Sequence, residues 1–184
     1  VGLAFAQNSE VEISRITNNA AVTAAGGGNV KNNGDAAHIA GILGFGTNHA
    51  DSKLRVVVSG CENNGNITSA TGRTSSIVAA CNRYTTVQDC ENNGNITNSY
   101  ATSGSARIGA VTCITGAECQ ILNTVNHGDV ICTSKGAAAG IVCLVSGDDC
   151  LFSGVENYGD VITDHASYKG TFFGKFLMVF RFSK

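Results

Sequence analysis

The chain lacks proline and tryptophan altogether and contains one methionine among its 184 residues. Charged residues make up only 14% of the chain, against roughly 25% in a typical domain. The 12 basic and 14 acidic residues give a net charge of −2. Because phosphate binding needs clustered lysine and arginine, nucleic acid is not an expected partner.

Long apolar runs and good helix formers are also scarce. No apolar stretch reaches the roughly 18 residues of a membrane-spanning helix, so no transmembrane helix is expected. Glu, Lys, Leu and Gln are few, whereas Asn, Thr, Val and the 23 glycines are common. This composition disfavours helical bundles, coiled coils and nucleotide-binding α/β domains, and it predicts a β-rich, turn-rich extracellular protein.

A first repeated signature reads Asn-x-Gly followed by Asp or Asn. Its corner glycines are Gly34, Gly65, Gly94, Gly128 and Gly159, separated by 31, 29, 34 and 31 residues. Glycine after asparagine is typical of corners with positive φ, and the β-branched residues that follow are typical of short strands. Each repeat is thus predicted to contain a corner and a strand at a fixed position.

A second signature, a small residue followed by aliphatic residues, alternates with the first. Examples begin at Gly41, Ser76 and Gly140. Two short strands per period, joined by Gly/Asn corners, predict an all-β fold: a parallel β-solenoid of about six repeats of ~31 residues. The alternative is an antiparallel β-sandwich in which the Asn-Gly pairs form hairpin turns. The near-identity of residues 61–68 and 90–97 favours stacked coils.

The first asparagine of the corner recurs at one position of the repeat. In stacked coils, such side-chain amides can hydrogen-bond to one another in a ladder. The predicted ladder consists of Asn18, Asn32, Asn63, Asn92, Asn126 and Asn157.

These two signatures resemble the GLUG-type repeats of microbial surface and adhesin-like proteins. The best-matching segments are Gly41-Ile42-Leu43-Gly44 and Cys61-Glu62-Asn63-Asn64-Gly65-Asn66-Ile67, and the resemblance covers most of residues 2–174. It implies a β-solenoid surface module with no catalytic residues to carry over. The chain departs from the pattern in its extra cysteines and in Ala79, Thr112 and Cys143, where the pattern has a second strand glycine.

Eight cysteines suggest disulfides and an oxidising compartment. Cys113 with Cys119, and Cys143 with Cys150, have nearly the same spacing and each pair could close one loop. Cys81 and Cys90 occupy the same loop position with a longer spacing. The alternative is a set of buried free thiols that fill the solenoid core.

Other polar residues are weighed as sites and mostly set aside. Asn66 and Asn95 begin N-glycosylation sequons, although the repeat itself explains both residues. Asp35, Asp129 and Asp160 lack the period of a calcium-binding β-roll, so corner hydrogen bonding is their expected role. No metal, cofactor or catalytic constellation is expected, because no zinc-ligand spacing or catalytic motif is present.

The repeat domain is assigned to residues 1–171, and residues 172–184 form a distinct Phe-rich strand. This strand is predicted to cap the last coil or to serve as an assembly element. Its large apolar residues are Phe172, Phe173, Phe176, Met178, Phe180 and Phe182. Because the chain begins and ends at the same phase of the repeat, we expect a slice of a longer solenoid or a subunit that stacks end to end.

The pattern favours a non-enzymatic structural or adhesive protein, located outside the cell or on its surface. Its expected partners are further copies of itself, through strand addition, or a cell-surface protein or glycan. The alternative function is that of a carbohydrate-active β-helix enzyme or a carbohydrate-binding module. Ice binding is less favoured, because the threonine row that Thr68 and Thr97 begin continues as Ile131 and Ile162.

Overall fold

The computed structural model describes residues 2–25, 37–48, 52–99, 106–133, 136–163, 169–170 and 173–176. All regular structure in these residues is β-strand, arranged in successive coils. Coil 1 contains β1 (Leu3–Ala6), β2 (Val11–Ser14), β3 (Thr17–Asn18) and β4 (Val22–Ala24). Coil 2 contains β5 (His38–Ala40), β6 (Leu43–Asn48), β7 (Val56–Ser59), β8 (Glu62–Asn63) and β9 (Ile67–Ser69).

The next three coils repeat this layout. Coil 3 contains β10 (Arg73–Ser75), β11 (Val78–Cys81), β12 (Thr85–Gln88), β13 (Glu91–Asn92) and β14 (Ile96–Asn98). Coil 4 contains β15 (Arg107–Gly109), β16 (Thr112–Thr115), β17 (Gln120–Leu122), β18 (Val125–Asn126) and β19 (Val130–Cys132). Coil 5 contains β20 (Ala137–Ala139), β21 (Val142–Val145), β22 (Leu151–Ser153), β23 (Glu156–Asn157) and β24 (Val161–Thr163). A sixth coil begins with β25 (Lys169–Gly170) and β26 (Phe173–Phe176).

Equivalent strands of successive coils pair in parallel and form five sheets. Their strand orders are β1-β6-β11-β16-β21-β26 (sheet A), β2-β7-β12-β17-β22 (sheet B), β3-β8-β13-β18-β23 (sheet C), β4-β9-β14-β19-β24 (sheet D) and β5-β10-β15-β20-β25 (sheet E). The predicted parallel β-solenoid is therefore confirmed. The antiparallel sandwich is wrong, because adjacent coils, and not hairpins, supply the partners of every described strand.

The apolar core divides into two inner clusters. One lies between sheets A and B and includes Leu43, Val56, Val78 and Ile121. The other lies between sheets D and E and includes Ile67, Ile96, Val130 and Ile108. These side chains are fully buried, and each occupies a position that recurs once per coil. A single coil could not shield them, so the stack is the folding unit.

The corner glycines serve a purpose other than the predicted one. Positive φ was expected for them, but Gly65, Gly94, Gly128 and Gly159 do not adopt it, and Gly34 lies outside the described residues. Instead, a Cβ on any of these four would lie 2.0–2.2 Å from a carbonyl oxygen of the preceding coil. Glycine is required there because the two backbones approach too closely for a side chain.

Positive φ recurs from coil to coil at two other corners. The residue after each sheet B strand has φ between 47° and 61°, and this residue is Arg15, Gly60, Asp89, Asn123 or Gly154. Between sheets A and B, the same conformation is found at Tyr84, Glu118 and Asp149. Because the residue type varies from coil to coil, these corners have no recurring sequence motif.

The Phe-rich segment falls partly within the described residues. Phe173 and Phe176 belong to β26, which pairs in parallel with β21 and so continues sheet A. Phe172, Met178, Phe180 and Phe182 lie outside the described residues. In the described part of the chain, no helix has the length and apolar character needed to cross a membrane.

The close approach at the glycine corner can be tested with two alanine substitutions. In Gly94→Ala, the new Cβ would lie 2.2 Å from the backbone oxygen of Gly65, and we expect the free energy of unfolding to fall by about 3 kcal/mol. Gly2→Ala is the control, since nothing lies within 4 Å of its Cβ and a change within about 0.5 kcal/mol is expected. Urea denaturation measures both. Equal effects would contradict the steric explanation.

Candidate functional site

The asparagines that close the corner after sheet C form a continuous side-chain ladder. Each Nδ2 donates to the Oδ1 of the equivalent asparagine in the next coil. The distances are 2.7 Å from Asn18 to Asn63, 2.8 Å from Asn63 to Asn92, 2.6 Å from Asn92 to Asn126 and 2.6 Å from Asn126 to Asn157. Of the predicted members, Asn32 lies outside the described residues.

Each ladder amide also fixes its own corner. Asn63, Asn92 and Asn126 donate a second hydrogen bond, at 2.7–2.8 Å, to the carbonyl oxygen of the glycine two residues later. These three side chains are fully buried. A buried amide is tolerated only when its donors and acceptor are satisfied, so the ladder is a structural element of the corner.

Two neighbouring asparagines allow a matched test of the ladder. In Asn92→Ala, the Asn63 amide and the carbonyl oxygen of Gly94 each lose a buried partner, and we expect a loss of about 3 kcal/mol in unfolding free energy. Asn93→Ala removes only exposed hydrogen bonds to Asn64 and Glu62, so less than about 1 kcal/mol is expected. Thermal and urea unfolding compare the two. A larger loss for Asn93→Ala would refute a stabilising role for the buried ladder.

The residue after each ladder asparagine faces solvent and forms a second row, which we call the amide–aromatic row. Its members are Asn19, Asn64, Asn93, His127 and Tyr158, and all are exposed. Asn64 donates to Asn19, and Asn93 donates to Asn64, both at 2.9 Å. The His127 and Tyr158 rings stack with centroids 5.2 Å apart and an interplanar angle of 6°.

Carboxylates of sheet C lie alongside this row and hold its members. Glu62 accepts a hydrogen bond from Asn93 at 3.2 Å, and Glu156 accepts one from the Tyr158 hydroxyl at 2.5 Å. His127 Nε2 lies 3.5 Å from Glu91 Oε1. Tyr158 nevertheless remains 67% exposed. The result is a solvent-facing strip of amides, carboxylates and an aromatic stack, anchored directly beside the buried ladder.

A third row consists of the residue after the corner glycine. The Oδ1 atoms of Asn66, Asn95 and Asp129 accept the backbone N–H of the equivalent residue in the next coil, at 2.9–3.0 Å. Only an acceptor is needed, which explains why both asparagine and aspartate occur at this position. Asn66 and Asn95, the sequon asparagines, are exposed. Asp129 and Asp160 act in this row, whereas Asp35 lies outside the described residues; among those described, no cluster suited to a metal ion is found.

The loop disulfides predicted from the sequence are not formed in the structure. All eight cysteines lie within the described residues as free, buried thiols. The two members of each predicted loop pair, Cys113 with Cys119 and Cys143 with Cys150, lie in different apolar clusters. Cys113 and Cys143 belong to a small cluster with Ala139 and Leu144, whereas Cys119 and Cys150 belong to the core between sheets A and B. Cys81 and Cys90 share that core but are not bonded either.

The fold instead stacks cysteines one coil apart. The strand registers align Cys113 with Cys143, Cys119 with Cys150, and Cys61 with Cys90. Their thiols donate mainly to backbone carbonyls, as from Cys150 to Gly116 at 2.9 Å and from Cys90 to Gln88 at 3.1 Å. Burial raises the pKa of Cys90 and of Cys119 to about 12. These thiols are therefore protonated near neutral pH and act as small apolar residues.

Thiol accessibility tests whether the loop disulfides form in the protein. We expect the folded protein, purified without reductant, to react very slowly with iodoacetamide at pH 8, because the thiols are buried and Cys90 and Cys119 have a pKa of about 12. In guanidinium chloride all eight should be alkylated, as intact mass will show. A non-reducing peptide map with Cys113 linked to Cys119 would restore the loop disulfide.

Sequence reasoning missed a polar group on sheet E. His38, Arg73 and Arg107 occupy one register position in three successive coils. We call them the cationic row. Arg73 Nη1 lies 3.0 Å from His38 Nε2. The signal was available, since Arg73 and Arg107 are separated by one repeat period, but no short motif contains them.

Comparison of the chain with models of protein families, with curated proteins and with solved structures finds no match.

Proposed function

We propose that the chain is a non-enzymatic structural or adhesive module of the cell surface or extracellular space, and that its adhesive surface is the amide–aromatic row. The observation that carries this proposal is the exposed His127–Tyr158 stack, which continues a line of exposed asparagine amides. Rows of this kind suit a linear ligand whose groups recur along its length.

The chemistry of the row favours a glycan. Sugar hydroxyls donate and accept hydrogen bonds, and the row offers amide donors and acceptors beside the carboxylates of Glu62, Glu91 and Glu156. The C–H face of a sugar ring packs against an exposed aromatic ring such as that of Tyr158, which is 67% exposed. The row is also preorganised, because each member follows a strand residue of sheet C, and this lowers the entropic cost of binding.

The structural part of the proposal depends on the stack itself. Strands of parallel in-register coils present backbone groups to the next coil, so the same pairing can continue into a neighbouring solenoid. The module would then act as a segment of a longer surface protein or in a filament of identical chains. Low charge and the resemblance to GLUG-type repeats support a surface location.

Depletion from solution by insoluble polysaccharides tests the adhesive surface. Purified protein is mixed with microcrystalline cellulose or chitin, and the unbound fraction is measured. We expect Tyr158→Ala to weaken retention about fivefold through loss of aromatic packing. Leu151→Ala is the control, because this residue is 40% exposed but lies in β22 of sheet B.

Two outcomes would overturn the proposal. Retention on neither polysaccharide, or equal retention of both variants and the parent, would remove the row from the binding surface. Release of soluble sugars from either polysaccharide by the parent protein would instead establish the alternative, a carbohydrate-active β-helix enzyme.

A further inference from the structure

The cationic row on sheet E holds two guanidinium groups that have no carboxylate partner among the described residues. Arg73 and Arg107 are in direct register on the adjacent strands β10 and β15, which places them one strand spacing of about 4.8 Å apart. Among the described residues, neither arginine lies within ion-pair distance of a carboxylate. Like charges directly opposite each other destabilise a sheet, so the pair carries an uncompensated repulsion.

His38 positions one arginine without adding charge. Its Nε2 accepts a hydrogen bond from Arg73 Nη1 at 3.0 Å, which requires a neutral ring. Burial and the charge of Arg73 lower the pKa of His38 to about 4. The Phe45 ring packs against the other side of His38, with centroids 5.3 Å apart. The positive charge of the row near neutral pH therefore comes from the two arginines.

An apolar wall lies beside the arginines. The cluster of Cys113, Cys143 and Leu144 packs with Ala137, which follows Arg107 in the same register row. The Cys113 thiol donates to the backbone carbonyl of Arg107 at 3.1 Å. Arg73 and Arg107 are themselves half-buried. Partial desolvation next to a low-dielectric wall strengthens the attraction of a guanidinium for an anion.

Other charged groups in the described residues have different surroundings. Glu62 and Glu91 are also stacked in register, but each lies near a donor from the next coil, Asn93 or His127. Arg55 donates to Thr86 and to the carbonyl oxygen of Glu118, and its guanidinium lies over the Tyr84 ring. Among the described residues, no carboxylate lies beside the guanidinium of Arg73 or Arg107.

We propose that Arg73 and Arg107 bind an oxyanion of an acidic polysaccharide, the carboxylate of a uronic acid or a sulfate ester. Both groups match the planar fork of a guanidinium, which binds oxyanions through paired N–H donors. A single bound oxyanion would bridge the two coils and relieve their repulsion. Nucleic acid is not favoured, since two arginines in a chain of net charge −2 cannot follow a phosphate backbone. The site lies on sheet E, so it does not depend on the adhesive surface of sheet C.

Isothermal titration with three defined probes tests the site: trigalacturonate, a heparin-derived hexasaccharide and sodium sulfate. We expect one or both oligosaccharides to bind, and Arg73→Gln or Arg107→Gln to weaken that binding at least about tenfold. Arg15→Gln is the charge-matched control, because this exposed residue lies at the corner after sheet B, and its affinity should remain within about twofold. The two oligosaccharides separate a carboxylate ligand from a sulfate ligand.

Stability provides a second, independent measurement. Without anion, Arg107→Gln should melt at the same temperature as the parent or higher, since the repulsion is relieved. Addition of sulfate should raise the melting temperature of the parent more than that of Arg107→Gln. Arg107→Lys keeps the charge but loses the paired N–H donors of the planar guanidinium. Its affinity for the oligosaccharide should therefore lie between those of the parent and Arg107→Gln. If Arg107→Gln does not fold, Arg107→Lys and Arg73→Gln still test whether the two arginines bind the oxyanion.

Three results would overturn the proposal. The first is the absence of binding by both oligosaccharides. The second is equal binding, or an equal sulfate response, in the parent, Arg107→Gln and Arg15→Gln, which would indicate general charge screening. The third is tighter binding of a twelve-nucleotide oligothymidylate than of either oligosaccharide, which would indicate that the cationic row binds nucleic acid.

Discussion

The close contact of successive coils at the Asn-Gly corner is the constraint on which the rest of the structure depends. The ladder amides must meet at 2.6–2.8 Å, while a Cβ at the glycine would meet a carbonyl oxygen at about 2 Å. A slip of one residue would place a side chain where only glycine fits and would leave buried amides without partners. The corner therefore fixes the register, and the register fixes which residues meet elsewhere.

This register explains both the core and the surface. Residues at one position of the repeat form a line along the stack, so an apolar position produces the core clusters and a polar position produces a solvent-facing row. Asn92 and Asn93 illustrate this difference. They are adjacent in sequence, yet Asn92 is fully buried and Asn93 is exposed. A surface built in this way is as rigid as the core to which it is attached.

The sequence predicted those features in which the same residue type recurs at the same position of successive repeats. The parallel solenoid, the corner positions and the asparagine positions were predictable, because the same residue recurs in nearly every coil. The reason for the glycines was not, since a short motif does not show that a carbonyl of another coil lies 2 Å from the missing Cβ. The positive-φ corner was equally hidden, because Arg15, Asp89 and Asn123 occupy it without a common residue type.

The pairing of cysteines within one loop and the omission of the cationic row have one cause. Cys113 and Cys119 were paired because they are close along the chain, but the register places Cys143 beside Cys113 and Cys150 beside Cys119. In a solenoid, the relevant neighbour of a residue is the one a full repeat away, and local spacing says little about contact.

The same rule applies to charged groups, because the residue one repeat away decides whether a charge has a partner within the chain. Charged groups with such a partner support the fold, and we propose that those without one bind a ligand. Glu91 lies 3.5 Å from His127 of the next coil, a neighbour that carries the opposite charge when protonated. Arg73 faces Arg107 across the same kind of step and finds no carboxylate in the described residues. The stack pairs the ladder amides from coil to coil yet leaves two guanidinium groups opposed. Such a local departure from consistency is expected where a protein binds a ligand.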